Sequence, residues 1–273
     1  MKKNQKNAIL IGPCDITAIS MFLKNIKIVD FNNTGTWNTC LSSYWVDCLL
    51  NKRSRNPFVD ESCYPDKTIF EKENPILIMS ILMEPQLGLY RNRYDNSTLM
   101  FGFPHLDIKK HYKDIYREDL LKFGEKGFED IKNNYIFEGC IKPQQVIDNY
   151  KIILQSIPPD TKVCILLGPT FSSKYGEQNI FYQQFDIKKY FMELNSLMYE
   201  NFAKQDNVEL IDPSKFYKKP LKKTSMYYYN FMSISHYPRL TYYKIANYLH
   251  RNNRKFISLD YKKTLKILIK SIF

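Results

Sequence analysis

The chain has 273 residues, of which 44% are hydrophobic and 25% charged, a balance that excludes a disordered tail, a collagen-like repeat and a coiled coil. Its 40 Lys and Arg against 28 Asp and Glu leave a formal charge of +12, which suits an anionic partner such as nucleic acid, phospholipid or a phosphorylated substrate. No run reaches the roughly 18 apolar residues needed to cross a bilayer. The basic start before Gly12-Pro13-Cys14-Asp15 is too short and polar for a signal-peptide core, so the expected location is the cytoplasm, with the six cysteines reduced.

Five short apolar runs read as strands in chain order: Ala8 to Gly12, Ile26 to Phe31, Pro75 to Leu82, Lys162 to Leu167 and Val208 to Ile211. Continuous apolarity fits strands buried on both faces. Helical spacing of apolar residues predicts helices at about Ile16 to Asn25, Thr39 to Leu50, Pro143 to Ser156, Asp186 to Gln205 and Arg239 to His250. The stripe Phe191, Leu194, Leu197, Met198 and Phe202 is the longest of these patterns. Alternating strands and helices predict an α/β three-layer sandwich around a five-stranded parallel sheet, in the order 2-1-3-4-5. Residues 86 to 140 are polar and punctuated by glycines, which predicts an insertion after the third strand. The expected organisation is one α/β domain over residues 1–255, followed by a basic amphipathic helix over 256–273.

The first strand ends in Gly12-Pro13-Cys14-Asp15, so Cys14 falls at a strand-to-helix turn. Helix amides there favour an anion, which lowers a thiol pKa or supports an oxyanion; the alternative is a small buried core residue. The second strand leads into Asn32-Asn33-Thr34-Gly35-Thr36-Trp37-Asn38, where the Gly35 amide and the Asn38 side chain are candidate oxyanion donors, although glycine also serves ordinary turns. His236 lies in Ser233-Ile234-Ser235-His236-Tyr237-Pro238, just ahead of the Arg239 helix. A nucleophile after the first strand and a histidine after the last return to one sheet edge under the order 2-1-3-4-5.

These residues resemble the SGNH or GDSL-type hydrolase superfamily, in particular its divergent members from bacterial surface-polysaccharide loci in which Gly-x-Cys replaces the Gly-Asp-Ser block. The resemblance runs through Gly12-Pro13-Cys14-Asp15, Asn33-Thr34-Gly35, the stretch from Leu194 to Asp212-Pro213, and His236 with Leu240 to Leu249. Two positions depart from the pattern. Ser233 stands where the superfamily has the Asp that orients the imidazole, leaving Ser233, Asp212 or a backbone carbonyl for that task. No Gly-x-Asn-Asp follows the third strand, where Glu84-Pro85-Gln86-Leu87-Gly88-Leu89-Tyr90-Arg91-Asn92 stands instead, with Asn92 as the substitute oxyanion donor.

The resemblance implies acyl transfer on a surface glycan or its activated precursor, with Cys14 as nucleophile and His236 as base. It leaves esterase against acyltransferase open, and a non-catalytic binding or assembly protein on the same fold is the alternative. No tightly bound cofactor or metal is expected, acyl-coenzyme A being one source of the acyl group. Arg91 and Arg93 in the insertion suit a phosphorylated carrier or the phosphates of coenzyme A, or else form a solvated basic face. The tail places Leu265, Leu268, Ile269 and Ile272 on one helical face, with lysines mostly off it. That pattern fits peripheral membrane contact at the inner leaflet as well as packing on the domain itself. The basic residues are scattered and no nucleic-acid-binding motif is present, so nucleic acid is not an expected partner.

Overall fold

A computed structural model describes residues 8–29, 41–50, 68–71, 75–101, 129–170, 186–217 and 239–269, together with residues 107, 109 and 127. Its centre is a five-stranded sheet of β1 (Ala8–Ile11), β3 (Ile26–Val29), β4 (Ile76–Ser80), β8 (Lys162–Leu166) and β9 (Val208–Ile211), with all neighbouring pairs parallel. A two-residue strand, β2 (Leu23–Lys24), precedes β3, and three more strands intervene later. In the full numbering the sheet therefore reads β3-β1-β4-β8-β9.

The two sheet faces bury different helices, as the period of two along a strand requires. Ile9, Ile11, Leu77, Met79, Val163 and Ile165 pack with α2 (Ser42–Leu49), α4 (Pro143–Gln155) and α5 (Ile187–Phe202). Leu10, Ile78, Cys164 and Leu166 turn the other way, onto α1 (Cys14–Ser20), α6 (Arg239–Asn252) and α7 (Tyr261–Ile269). This is an α/β architecture with helices on both faces of a parallel sheet. Phe191, Leu194, Met198 and Phe202 of the α5 stripe are all buried, each contributing about 2 kcal/mol of apolar burial.

One expectation needs correction. The first helix starts at Cys14 rather than Ile16 and stops at Ser20, because Leu23–Lys24 is claimed by an antiparallel pairing with β10 (Ser258–Leu259) and Asn25 turns with a positive φ of 59°. The segment expected as an insertion after the third strand carries strands of its own. It forms a second, antiparallel sheet, β6-β5-β7, from β5 (Gly88–Asn92), β6 (Thr98–Phe101) and β7 (Tyr135–Cys140). Tyr90, Leu99, Ile131 and Tyr135 give it a small core of its own. The buried Asp47 carboxylate of α2 accepts from both the Thr98 amide and hydroxyl, which fastens this sheet to the main body. Between Ser42 and Ile69 only α3 (Thr68–Glu71) and the α2 helix are described.

Candidate functional site

The carboxyl edge of the sheet is where β1 gives way to α1. The Gly12 amide still continues the ladder by donating to the Val29 carbonyl at 3.1 Å, and Gly12 then turns with φ of 155°. A side chain there would meet Ile16 at 2.6 Å and Ser80 at 3.0 Å, so only glycine lets the chain fold back this tightly. Pro13 follows as the helix N-cap without any side-chain cap bond, and Cys14 is the first helical residue. Cys14 is a thiol, half-buried.

Asp15 fixes this turn from behind. Its buried carboxylate accepts from the Ile16 amide at 2.8 Å and from the Ser80 hydroxyl, whose oxygen in turn accepts from the Leu82 amide at 3.2 Å. The Cys14 turn is thereby tied to the end of the neighbouring strand β4. Burial raises the Asp15 pKa to about 6, partly offset by the Ser80 and Ile16 hydrogen bonds. Asp15 also lines a small cavity with Leu82, Leu167, Pro169, Tyr242 and Ile245. Tyr242 belongs to α6, which begins three residues after His236. The helices α1 and α6 therefore meet at this cavity.

The loop leaving β8 reaches the same cavity and is held by a two-way clamp. Buried Asn195 of α5 donates to the Gly168 carbonyl at 2.8 Å and accepts from the Gly168 amide at 3.1 Å. Removing the amide with Asn195→Ala orphans two buried backbone groups, so urea unfolding should show a loss of about 2–4 kcal/mol. A loss under about 0.5 kcal/mol would mean that water replaces the clamp.

A second buried carboxylate, which sequence reading did not single out, lies just past β4. Glu84 is fully buried and its Oε1 accepts from the Ser42 amide at 2.8 Å, capping α2 from a distant part of the chain because Leu41 offers no side-chain cap. Its Oε2 has no partner. Burial raises the Glu84 pKa to about 7 against the opposing Ser42 bonds. Burial pushes the Cys140 thiol up to about 12 and raises the Tyr150 and Tyr190 pKa values, with the Glu84 charge adding to each shift. Cys164 is likewise pushed up to about 12 by burial and stands on the inner face of β8. Neither is placed to supply a thiolate at neutral pH.

Of the predicted site residues, Gly35, Asn38, Ser233 and His236 lie outside the described residues. The structure places Arg91, Asn92 and Arg93 in and just after β5 of the second sheet. The Arg91 guanidinium makes a two-pronged pair with Glu138, at 2.9 and 3.1 Å, and also donates to the Asn96 carbonyl. Asn92 accepts from the Tyr94 amide through Oδ1 in the hairpin turn, and the Arg93 amide donates to the Asn134 carbonyl. These bonds all stay within the second sheet and its flanks, and none of them reaches the Cys14 turn. Asp212, an alternative orienter for the imidazole, accepts from both the amide and the hydroxyl of Ser214. His250 Nδ1 lies 2.8 Å from the Ile257 carbonyl and ties the end of α6 to the following turn. Among the described residues no three His, Cys, Asp or Glu side chains converge as a metal site, and no helix is long and apolar enough to cross a membrane. No protein family, curated protein or solved structure matches this chain.

Proposed function

We propose that the chain is an acyl-transfer enzyme of the SGNH-like type, acting on a surface glycan or its activated precursor with Cys14 as nucleophile and His236 as general base. The observation that carries the reading is the convergence at one sheet edge: a half-buried Cys14 on a tight glycine turn, with Asp15 and Tyr242 lining one cavity beside it. In the proposed reaction the Cys14 sulfur attacks an acyl carbonyl as its proton passes to the imidazole. Collapse of the tetrahedral intermediate expels the donor's thiolate or alkoxide, which takes that proton and leaves an S-acyl enzyme. A sugar hydroxyl or water then attacks the thioester, with His236 accepting its proton and returning it to the Cys14 sulfur. Gly35 and the Cys14 amide are the proposed oxyanion donors. Ser233 or a backbone carbonyl is the proposed orienter of the imidazole, since Asp212 is occupied with Ser214.

A binding or assembly protein on the same scaffold is the second reading. It is favoured by Ser233 standing where an Asp is the pattern, and by a buried Glu84 in the stretch where an Asn block belongs. The pH dependence of iodoacetamide alkylation separates the two. Catalysis predicts a Cys14-dependent phase with an apparent pKa clearly below the roughly 8.5 of an ordinary thiol, moved upward in the His236→Ala variant. An ordinary pKa, unaffected by His236→Ala, would favour the binding protein.

A further inference from the structure

The C-terminal helix packs on the domain through Thr264 and Ile267 and leaves Leu265, one residue of its apolar pattern, outward. Among its residues 261–267, Thr264 and Ile267 are buried, while Leu265 is 62% and Tyr261 68% exposed. Tyr261 and Leu265, four apart, form one outward stripe. Lys262 and Lys266, also four apart and exposed, form the stripe next to it. The helix position is fixed from its amino end: β10 pairs with β2, the Asp260 amide donates to the Phe22 carbonyl at 2.8 Å, and the Asp260 carboxylate accepts from the Lys263 amide at 3.0 Å. Asp260 also pairs with Lys24 at 3.6 Å, so the segment's one carboxylate is already engaged. From residue 251 to 266 the chain carries Arg251, Arg254, Lys255, Lys262, Lys263 and Lys266, all exposed, with Phe256 exposed among them.

We infer that this surface docks on an anionic lipid bilayer, with Tyr261 and Leu265 entering the headgroup region and the surrounding lysines and arginines meeting lipid phosphates. Charge complementarity selects the occupant. A cationic cluster in which Asp260 is the one carboxylate of residues 251–266 attracts an anionic surface, and an aliphatic side chain beside an aromatic one on an outward helix face gains by leaving water at the headgroup boundary. A nucleic acid would use the same cations and stack on Tyr261, but it gains nothing from the aliphatic Leu265 beside that ring, which a lipid headgroup boundary takes up together with it. The surface surrounds β2, which leads into the amino end of β3, at the opposite edge of the sheet from the Cys14 turn. Docking there leaves that turn facing the aqueous side.

The test is co-sedimentation of the full chain with vesicles of phosphatidylcholine alone and of phosphatidylcholine containing about one third phosphatidylglycerol. Partitioning should be at least about tenfold stronger on the anionic vesicles and fall as salt rises. Tyr261→Ser/Leu265→Ser, which leaves the charge unchanged, and Lys262→Gln/Lys266→Gln should each weaken it by roughly fivefold or more. Both pairs are exposed, so the thermal midpoints of these variants should match the parent. Equal binding to both vesicle types, binding to neither, or full binding by the serine variant would overturn the docking proposal. So would tight binding of a duplex oligonucleotide that persists when vesicles are not bound.

Discussion

The Glu84→Gln variant is expected to be more stable than the parent at pH 8 and nearly equal to it at pH 4.5. Folding raises the Glu84 pKa from 4.5 to about 7, chiefly by burial. The folded state therefore holds the proton over a range where the unfolded chain has lost it, and stability falls as pH rises. The contribution is fully present below about 4.5 and gone above about 7, a loss of about 3 kcal/mol across that window. Glutamine keeps an oxygen for the Ser42 amide but never ionises. The gap between variant and parent, from urea midpoints at the two pH values, should open by about that amount. Asp15 acts with the same sign between 3.8 and about 6 and is present in both proteins, so it cancels in the difference. A gap that stays constant with pH would mean that Glu84 reaches water or a counter-charge in solution.

Substituting Cys14 with Ala should reduce acyl transfer by roughly a thousandfold or more, because in the proposed scheme the covalent intermediate forms on its sulfur. Cys164 is buried and Cys140 largely so, and burial pushes both thiols up to about 12, so neither should substitute. Stability should move by less than about 1 kcal/mol, since the side chain is half-buried and small. Asp15→Asn provides a contrast. It keeps the shape but weakens the bonds to Ser80 and Ile16 that hold the turn, so kcat should fall while the Cys14 thiol remains present for alkylation. A Cys14→Ala protein that turns over acyl donor at the parental rate would remove Cys14 from the mechanism.

The three central sheet strands were legible because both of their faces are buried, so runs such as Ile76–Ser80 and Lys162–Leu166 are nearly free of polar residues. The α5 helix was legible for a related reason, its buried stripe recurring at three- and four-residue spacing. The second sheet was not. Its strands are short and partly exposed, and Gly88–Asn92 and Tyr135–Cys140 are joined in register only across a separation of more than forty residues. Arg91 looked like a phosphate ligand for the same reason, since its partner Glu138 is 47 residues away and nothing local announces the pair. Glu84 and Asp15 were given no role from the sequence, because carboxylates just past a strand end normally face water. Only the tertiary packing of α2 and Ser80 against them shows that they are internal anchors. Cys14 and its glycine were visible because a strand ending in Gly-Pro-Cys-Asp ahead of a helix leaves few other conformations for the chain.

The central claim is that Cys14 becomes acylated, and intact-mass spectrometry of the protein after incubation with acetyl-coenzyme A and, separately, with an aryl acetate tests it most directly. The account predicts one acetyl group added to the parent chain from at least one donor, absent in Cys14→Ala and lost again when an acceptor hydroxyl or water completes the cycle. An adduct that persists in Cys14→Ala, or an unlabelled parent whose Cys14 also alkylates with an ordinary thiol pKa, would contradict it.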